Sequence, residues 1–386
     1  MSTKPQIAVY YFPNYHLDVQ NEAVHGPGWT EWELVKHATP RWQGHNQPRV
    51  PLWGYTDEAD PQQMAQKIDA AADHGIDAFL FDWYYYNKGP FLQRGLEKGF
   101  MQAPNAHRLK FALMWANHDW INIHPTNFKN TPDLLHAGKI TPATWELMTD
   151  LIIERYFQHP SYWLVDNAPY FSIYDLEKFI SSFGSPTAAT AALASFRAKV
   201  IKAGFPNLHL NAVVWGGSNW ADFVPTQSDE LATVASSVHA LGFDSVTSYV
   251  WIHHAALPDF PETSYDYAMR KYGEYRSKAK LSFNVEGLPY HPNVTMGWDS
   301  SPRTLPSDTH ANIGYPYMPA LKDNTPQAFE NALRDASVFL KDVPADEKIL
   351  TINAWNEWTE GSYLEPDTVH GMAYLEAIRA VFGKQS

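Results

Sequence analysis

Toward its C-terminus the sequence places two glutamates three residues apart, Glu357 and Glu360, in the stretch Trp355-Asn356-Glu357-Trp358-Thr359-Glu360-Gly361. Carboxylates at this spacing share one side if the segment begins a helical turn. The tryptophans beside them supply apolar surroundings, and burial together with mutual repulsion raises the pKa of at least one of two neighbouring acids. One member can then hold its proton near neutral pH while the other stays ionised, which is what general acid and base work requires. Glu365, in Leu364-Glu365-Pro366, is a third carboxylate close by and fits a supporting role in the loop.

Other polar and aromatic residues follow short apolar runs in the same manner. The first run ends in Tyr11 with His16 beyond it, Asp82, Trp83 and Tyr84 follow the second, and Asn117, His118, Asp119 and Trp120 the third. Later runs end at Asp175, at Trp215, at Tyr249 and Trp251, and at Glu286. Aromatic residues make up 15% of the chain, with 15 Trp and 21 Tyr. Some of these must be core: Trp145 and Trp163, on a helical and a pre-strand segment, read that way. Those that sit with carboxylates offer flat apolar faces with a polar edge, which suits a sugar ring. Tyr11, His16, Asp82, Trp83, Asn117, His118, Trp120, Tyr249, Trp251 and Glu286 are therefore candidates for a substrate rim, whereas Asp175 reads as a helix cap. An acid pair in an aromatic cup points to glycosidic chemistry on an oligosaccharide or polysaccharide. Glycosidases usually set two carboxyls on opposite sides of the scissile bond, and Glu357 and Glu360 share one loop. Either Glu286, Asp82 or Asp119 supplies the opposing group, or the substrate supplies its own nucleophile.

What must position these residues is a series of apolar runs separated by helical segments. The runs are Gln6 to Phe12, Ile76 to Phe81, Lys110 to Trp115, Pro169 to Tyr174, Leu208 to Trp215, Ser245 to Trp251, Lys280 to Val285 and Lys348 to Trp355. Several are continuously apolar, as expected of parallel strands covered on both faces. Asp60 followed by Pro61 opens one helix that stops at Gly75; Thr141-Pro142 and Thr325-Pro326 open others, and Ala188 to Ala203 closes at Gly204. Eight such units predict an α/β fold, a (β/α)8 barrel with long βα loops and a single domain over residues 1–386. A doubly wound sheet would carry a Gly-rich turn after its first strand, where this chain has Pro13-Asn14-Tyr15-His16.

The composition narrows the partners. The 29 basic residues stand against 42 acidic ones for a formal net charge of -13, which repels a phosphate backbone, so no nucleic-acid partner is expected. No apolar run reaches the length of a membrane span. With no cysteine there is no disulfide, thiolate metal site or thiol nucleophile. The 17 histidines show no metal-binding spacing, and the adjacent His253 and His254 cannot easily face one ion together, so neither metal nor cofactor is expected. The N-terminus lacks the pattern of an export signal, which reads as cytoplasmic, or as periplasmic or secreted if a leader was removed.

Four further segments carry a family resemblance: Gly28-Trp29-Thr30-Glu31-Trp32, Gly44-His45-Asn46-Gln47-Pro48, Gly75-Ile76-Asp77-Ala78-Phe79 and Trp115-Ala116-Asn117-His118-Asp119-Trp120. Together with Asn356-Glu357-Trp358-Thr359-Glu360-Gly361, Leu364-Glu365-Pro366, Gly297-Trp298-Asp299 and Pro302-Arg303, they resemble the WbsX-like group related to family 99 glycoside hydrolases. The resemblance spans nearly the whole chain. It implies a (β/α)8 barrel acting on α-linked glycans, mannosides in the founding endo-acting members. It further implies that Glu357 deprotonates a sugar 2-hydroxyl, which attacks the anomeric carbon to give a 1,2-anhydro sugar, while Glu360 protonates the departing oxygen. An internal nucleophile lets both acids share a loop. Trp29, Glu31, Asp299 and Arg303, in the resembling segments, join the candidate substrate rim. WbsX-like proteins are also associated with glycosyl transfer in surface-polysaccharide assembly, and a glycosyltransferase or a non-catalytic glycan binder is the alternative.

Overall fold

The computed structural model describes residues 4–215 and 230–383. Its centre is a ring of parallel strands: β1 (Gln6–Tyr11), β2 (Ala78–Tyr86), β3 (Lys110–Trp115), β4 (Ala168–Ile173), β5 (His209–Val213), β6 (Ser245–Thr247), β7 (Tyr290–His291), β8 (Asn293–Thr295) and β9 (Ile349–Asn353). β1 pairs with β2 through Val9 and Phe79 and with β9 through Val9 and Ile352. β7 pairs with β6, whereas β8, one residue further along the chain, pairs with β9. The seventh position of the barrel is thus one strand interrupted at Pro292, and it closes the ring. A proline cannot donate to a ladder, so the interruption falls where the ring has no need of its N–H.

Ten helices are described: α1 (Val19–His25), α2 (Trp32–His37), α3 (Pro61–Asp73), α4 (Pro142–Leu151), α5 (Leu176–Phe183), α6 (Pro186–Lys202), α7 (Glu230–Leu241), α8 (Tyr265–Val285), α9 (Pro326–Phe339) and α10 (Ala373–Phe382). Their starts follow the expected chemistry. Asp60 accepts the N–H groups of Gln62 and Gln63, Thr141 that of Thr144, Asp175 that of Lys178 and Thr325 that of Ala328, each satisfying a donor the helix cannot. α6 begins at Pro186, two residues before the expected start, with Ser185 as its cap. No described helix is long and apolar enough to cross a membrane.

β2 is buried along its whole length, because helices cover one side and the barrel interior the other. Trp145 packs against Trp115, Phe179 and Phe196, and Trp163 against Tyr170, so both are core as their positions implied. Inside the lower barrel the filling is polar: Ser172, Asn211 and Ser245 are hydrogen-bonded in series, and Thr351 joins Thr247 to Asn293.

One expected strand is a helix. Lys280 to Val285 alternates apolar Leu281, Phe283 and Val285, but it is the end of α8, whose buried face runs Tyr265, Ala268, Tyr272, Arg276, Ala279, Phe283 at helical spacing. Leu281 and Val285 are exposed. The true seventh strand, Tyr-His-Pro-Asn-Val-Thr, is too polar and too short to stand out. The sixth ends at Thr247 rather than Trp251.

Candidate active site

The long loops lie at the C-terminal ends of the strands and enclose a cavity of about 590 Å³. Its floor is the loop after β9. Asn356 fixes this loop to the end of β1, its Oδ1 accepting the Phe12 N–H at 2.8 Å and its Nδ2 donating to the Phe12 carbonyl at 2.7 Å. Asn356 and Glu357 then pair antiparallel with Tyr363 and Ser362 around a single 3-10 turn, Trp358–Glu360. Gly361 ends the turn at φ 65°, where a Cβ would lie 2.7 Å from the Asp299 side chain, so the turn needs glycine. Glu365 takes the role expected of it: its two oxygens accept the indole N–H groups of Trp355 at 2.9 Å and Trp358 at 2.8 Å. Lys67, fully buried on α3, neutralises it at 2.6 Å.

Both candidate acids reach one guanidinium. Arg303 Nη1 lies 2.6 Å from Glu360 Oε1, and Nη2 lies 3.3 Å from Glu357 Oε2 and 3.1 Å from Glu31 Oε1. Tyr315 donates to Glu360 Oε1 at 2.7 Å, and the Tyr249 hydroxyl is 3.1 Å from Glu357 Oε1 and 2.8 Å from Asp82 Oδ2. Burial, then the charge of Glu360, pushes the Glu357 carboxyl well above its usual range against the pull of Arg303. Burial also raises Glu360, opposed by Arg303 and Tyr315, and raises Asp82 strongly, opposed by Tyr249. Glu31 goes the other way: burial is outweighed by Arg303, His124, Thr359 and Asn14, which hold it below the ordinary value. Burial pushes His124 down to about 4. The cup therefore holds an arginine, backed by a firmly ionised Glu31, and acids that resist ionising together.

Seven of the sequence-derived candidates line this cavity: Asp82, His118, Trp120, Tyr249, Arg303, Glu357 and Glu360. The others lie elsewhere, for identifiable reasons. Successive residues of a strand face opposite sides, so Asp82 and Tyr84 face the cup while Trp83 turns outward onto Tyr156. Tyr11 likewise points into the helix layer, where its hydroxyl meets Glu58 and Lys67. His16 binds Glu58 at 2.8 Å, and Asn117 is spent on the backbone of Asp175. Glu31 is buried behind Arg303, and Trp251 packs on Tyr265 and Tyr272. Trp29 lines an adjoining cleft of about 240 Å³. Asp299 is held by His45 at 2.9 Å and Gln47 at 2.7 Å and faces a separate polar pocket behind the loop. Glu286 follows the last turn of α8, at the end of the barrel away from the loops, because the strand assigned to it does not exist. Of the possible opposing carboxylates in the cup, Asp119 is paired with Lys178 at 2.7 Å, whereas Asp82 bonds the Tyr249 hydroxyl.

The far wall comes from residues not among the candidates. Trp215, after β5, stacks on His253 at 4.4 Å, and its indole N–H donates to the Tyr174 carbonyl at 3.2 Å. Tyr84 could have been found from strand parity with Asp82. Phe12, His124 and Tyr315 arrive from loops and carry no local signal. Among the described residues no group of three or more His, Asp or Glu is placed to hold a metal ion.

A closed (β/α)8 barrel with buried acids, an arginine and aromatic walls at the strand ends defines the class of protein. The chain belongs to the family described as glycosyltransferase WbsX, whose model matches residues 7–378. It is 26% identical over 380 residues to the uncharacterized protein WxcX of Xanthomonas campestris pv. campestris, a match covering 97% of this chain and 49% of WxcX. The chain thus spans about half the length of the curated relatives it matches. Among solved structures it is similar to a GH99 endo-alpha-mannosidase from Bacteroides thetaiotaomicron, with a TM-score of 0.55 and 15% identity, covering 98% of this chain and 96% of that one. A glycoside hydrolase-like protein gives a TM-score of 0.64 at 14% identity, covering 99% and 95%. At these identities the likeness is one of fold.

Proposed function

We propose that this protein is a glycan-active enzyme that cleaves an α-linked glycan with retention, Glu357 serving as base and Glu360 as acid. The observation that carries this reading is the pair of buried acids that meet one guanidinium from a single loop. Such a pair suits a reaction in which the sugar supplies the nucleophile, one of the exceptions to the two-sided arrangement. Glu357 takes the proton of the 2-hydroxyl as O2 attacks C1, and Glu360 gives its proton to the departing glycosidic oxygen. A 1,2-anhydro sugar results. Glu360 then takes a proton from the water that attacks C1, and Glu357 returns a proton to O2. Two inversions restore the original configuration. Both donors to Glu360 bind its Oε1, which leaves Oε2 to carry the proton.

Attack by O2 opposite the leaving group requires the C1 and C2 oxygens to be trans. An α-linked manno-configured sugar meets that demand and an α-linked gluco-configured one does not, so mannosides are the expected substrates. The similar fold of the endo-alpha-mannosidase from Bacteroides thetaiotaomicron supports the same class. Incubation with a panel of α-linked oligosaccharides, with the first-formed anomer followed by NMR, tests this. Initial release of the β-anomer, or equal cleavage of α-glucosides, would sink it. Glu357→Gln and Glu360→Gln are each expected to lower turnover by roughly 10²- to 10⁴-fold while glycan binding survives. Preserved turnover in both variants removes the pair from the mechanism.

The family's description favours a second reading, transfer of the sugar to an acceptor hydroxyl instead of water. Among the described residues Arg303 is the one arginine or lysine lining the cup, and it is engaged by carboxylates. That is a poor seat for a diphosphate leaving group, so a transferase here would draw on a glycoside donor. Product appearing only when an acceptor sugar is added would identify it.

A further inference from the structure

The Tyr249 hydroxyl stands between two carboxyl groups, 2.8 Å from Asp82 Oδ2 and 3.1 Å from Glu357 Oε1. Burial holds this phenol far above its normal pKa, so it stays neutral with one proton to donate and an oxygen that can accept. Hydrogen bonds on both sides then require one of the two carboxyl groups to be protonated and to donate into the phenol oxygen.

The surroundings decide which. As an anion, Glu357 has Tyr249 on one oxygen and Arg303 on the other. As an anion, Asp82 has Tyr249 alone. Its Oδ1 is buried without a hydrogen-bond partner among the described residues, and the side chain is 3% exposed. The groups around Asp82 are the acids Glu357 and Glu360, the phenols of Tyr10, Tyr84, Tyr174 and Tyr249, and Arg303, which is in contact with the other acids. A buried carboxylate with one neutral donor and no cation in contact is the costlier ion.

We propose that Asp82 is a third acid of this site, holding in neutral form the proton that Glu357 must lack, with Tyr249 as the hydroxyl linking them. The role of Glu357 as base rests on the reading above; the seat of the proton does not. The exchange balances. A proton passes from Glu357 to the phenol oxygen as the phenol proton passes to Asp82 Oδ2, leaving a Glu357 carboxylate, an Asp82 acid and a neutral tyrosine. Asp82 thus acts through Tyr249 as a positioning residue for charge.

Infrared spectroscopy of the free protein near neutral pH tests this through the absorption of neutral carboxyl groups. Asp82→Asn is expected to remove one such band and Glu357→Gln to leave that band in place. A band that survives Asp82→Asn and vanishes in Glu357→Gln puts the proton on Glu357 and overturns the proposal, as does a spectrum neither variant changes. If Asp82→Asn does not fold, Glu357→Gln and its double variant with Tyr249→Phe carry the test: a band that persists in Glu357→Gln and shifts when Tyr249→Phe is added belongs to Asp82, and a band that vanishes in Glu357→Gln overturns the proposal. In turnover, Asn still offers the phenol oxygen a donor and Ala does not, so Asp82→Ala should lose about 10²-fold and Asp82→Asn distinctly less, with the limb of the pH profile belonging to Asp82 removed. Equal losses, with an unaltered pH profile, would reduce Asp82 to packing. The infrared arm needs no substrate, so its result stands apart from whether α-linked glycans are cleaved.

Discussion

Arg303 is the residue on which the electrostatics of the cup depend, since Glu31, Glu357 and Glu360 all contact its guanidinium. Its packing over the Phe12 ring, 5.4 Å from the centroid, keeps it out of water and strengthens each of these pairs. Arg303→Met would leave buried carboxylates without a counter-charge, a loss of about 3–5 kcal/mol by the general cost of breaking such pairs. The pH dependence identifies the cause. In the wild type Glu31 has a lowered pKa, so its contribution to stability is present above the unfolded value of about 4.3 and lost as pH falls. In the variant Glu357 and Glu360 lose the guanidinium that opposes their burial, so their raised folded pKa values move further above the unfolded ones and stability should increase more steeply as pH falls from about 7 toward 5. Melting temperatures across that range check it: a variant that is not rescued by acid would mean that Arg303 matters for packing rather than charge.

At the scale of elements, the loop after β9 is tied down from beneath by the buried Lys67 and Glu365, one on α3 and one beyond the turn. Glu365→Gln strands a buried ammonium and Lys67→Met strands a buried carboxylate, so each is expected to cost about 3–5 kcal/mol. The double variant should lose clearly less than the sum, and strict additivity in chemical denaturation would deny the pairing. These elements also mark how far the sequence could be read. Helix starts at Asp60, Thr141 and Thr325 were legible because capping is local chemistry. Most strands were legible because both faces are buried. The seventh failed because the end of α8 happens to alternate apolar residues, and Glu286 was misplaced with it. Trp83 and Tyr11 stand at strand ends yet turn away from the cup, because proximity to a strand end says nothing of which face a side chain takes. The pair Glu357 and Glu360 was legible because its two members and their tryptophans lie within one short stretch. The His124 and Tyr315 contributions depend on loops whose course no local pattern encodes.

Across the whole molecule, buried histidines oppose acid. Burial lowers His124 and His253 to about 4 and His291 to about 3, against about 6.5 in an unfolded chain. Between those values the unfolded state binds more protons, so stability is lost as pH falls from about 6.5 toward 4, by roughly 3 kcal/mol for a fully buried group shifted to 4. Asp175, raised to about 6 by burial, works in the opposite direction over part of that range, as do the raised acids of the cup. The histidines act together, so the net expectation is a fall, read by urea denaturation at a series of pH values; a flat profile would mean that the histidines find water or partners in solution. The far wall of the cavity has a different lesson. Trp215 and His253 stack on each other and touch none of the bonds that lock Glu31, Arg303, Glu357 and Glu360 together. On the proposed reading, mutation of this wall would reshape what the cup accepts without disturbing the acids and their arginine, leaving room for preference to diverge while the chemistry is kept.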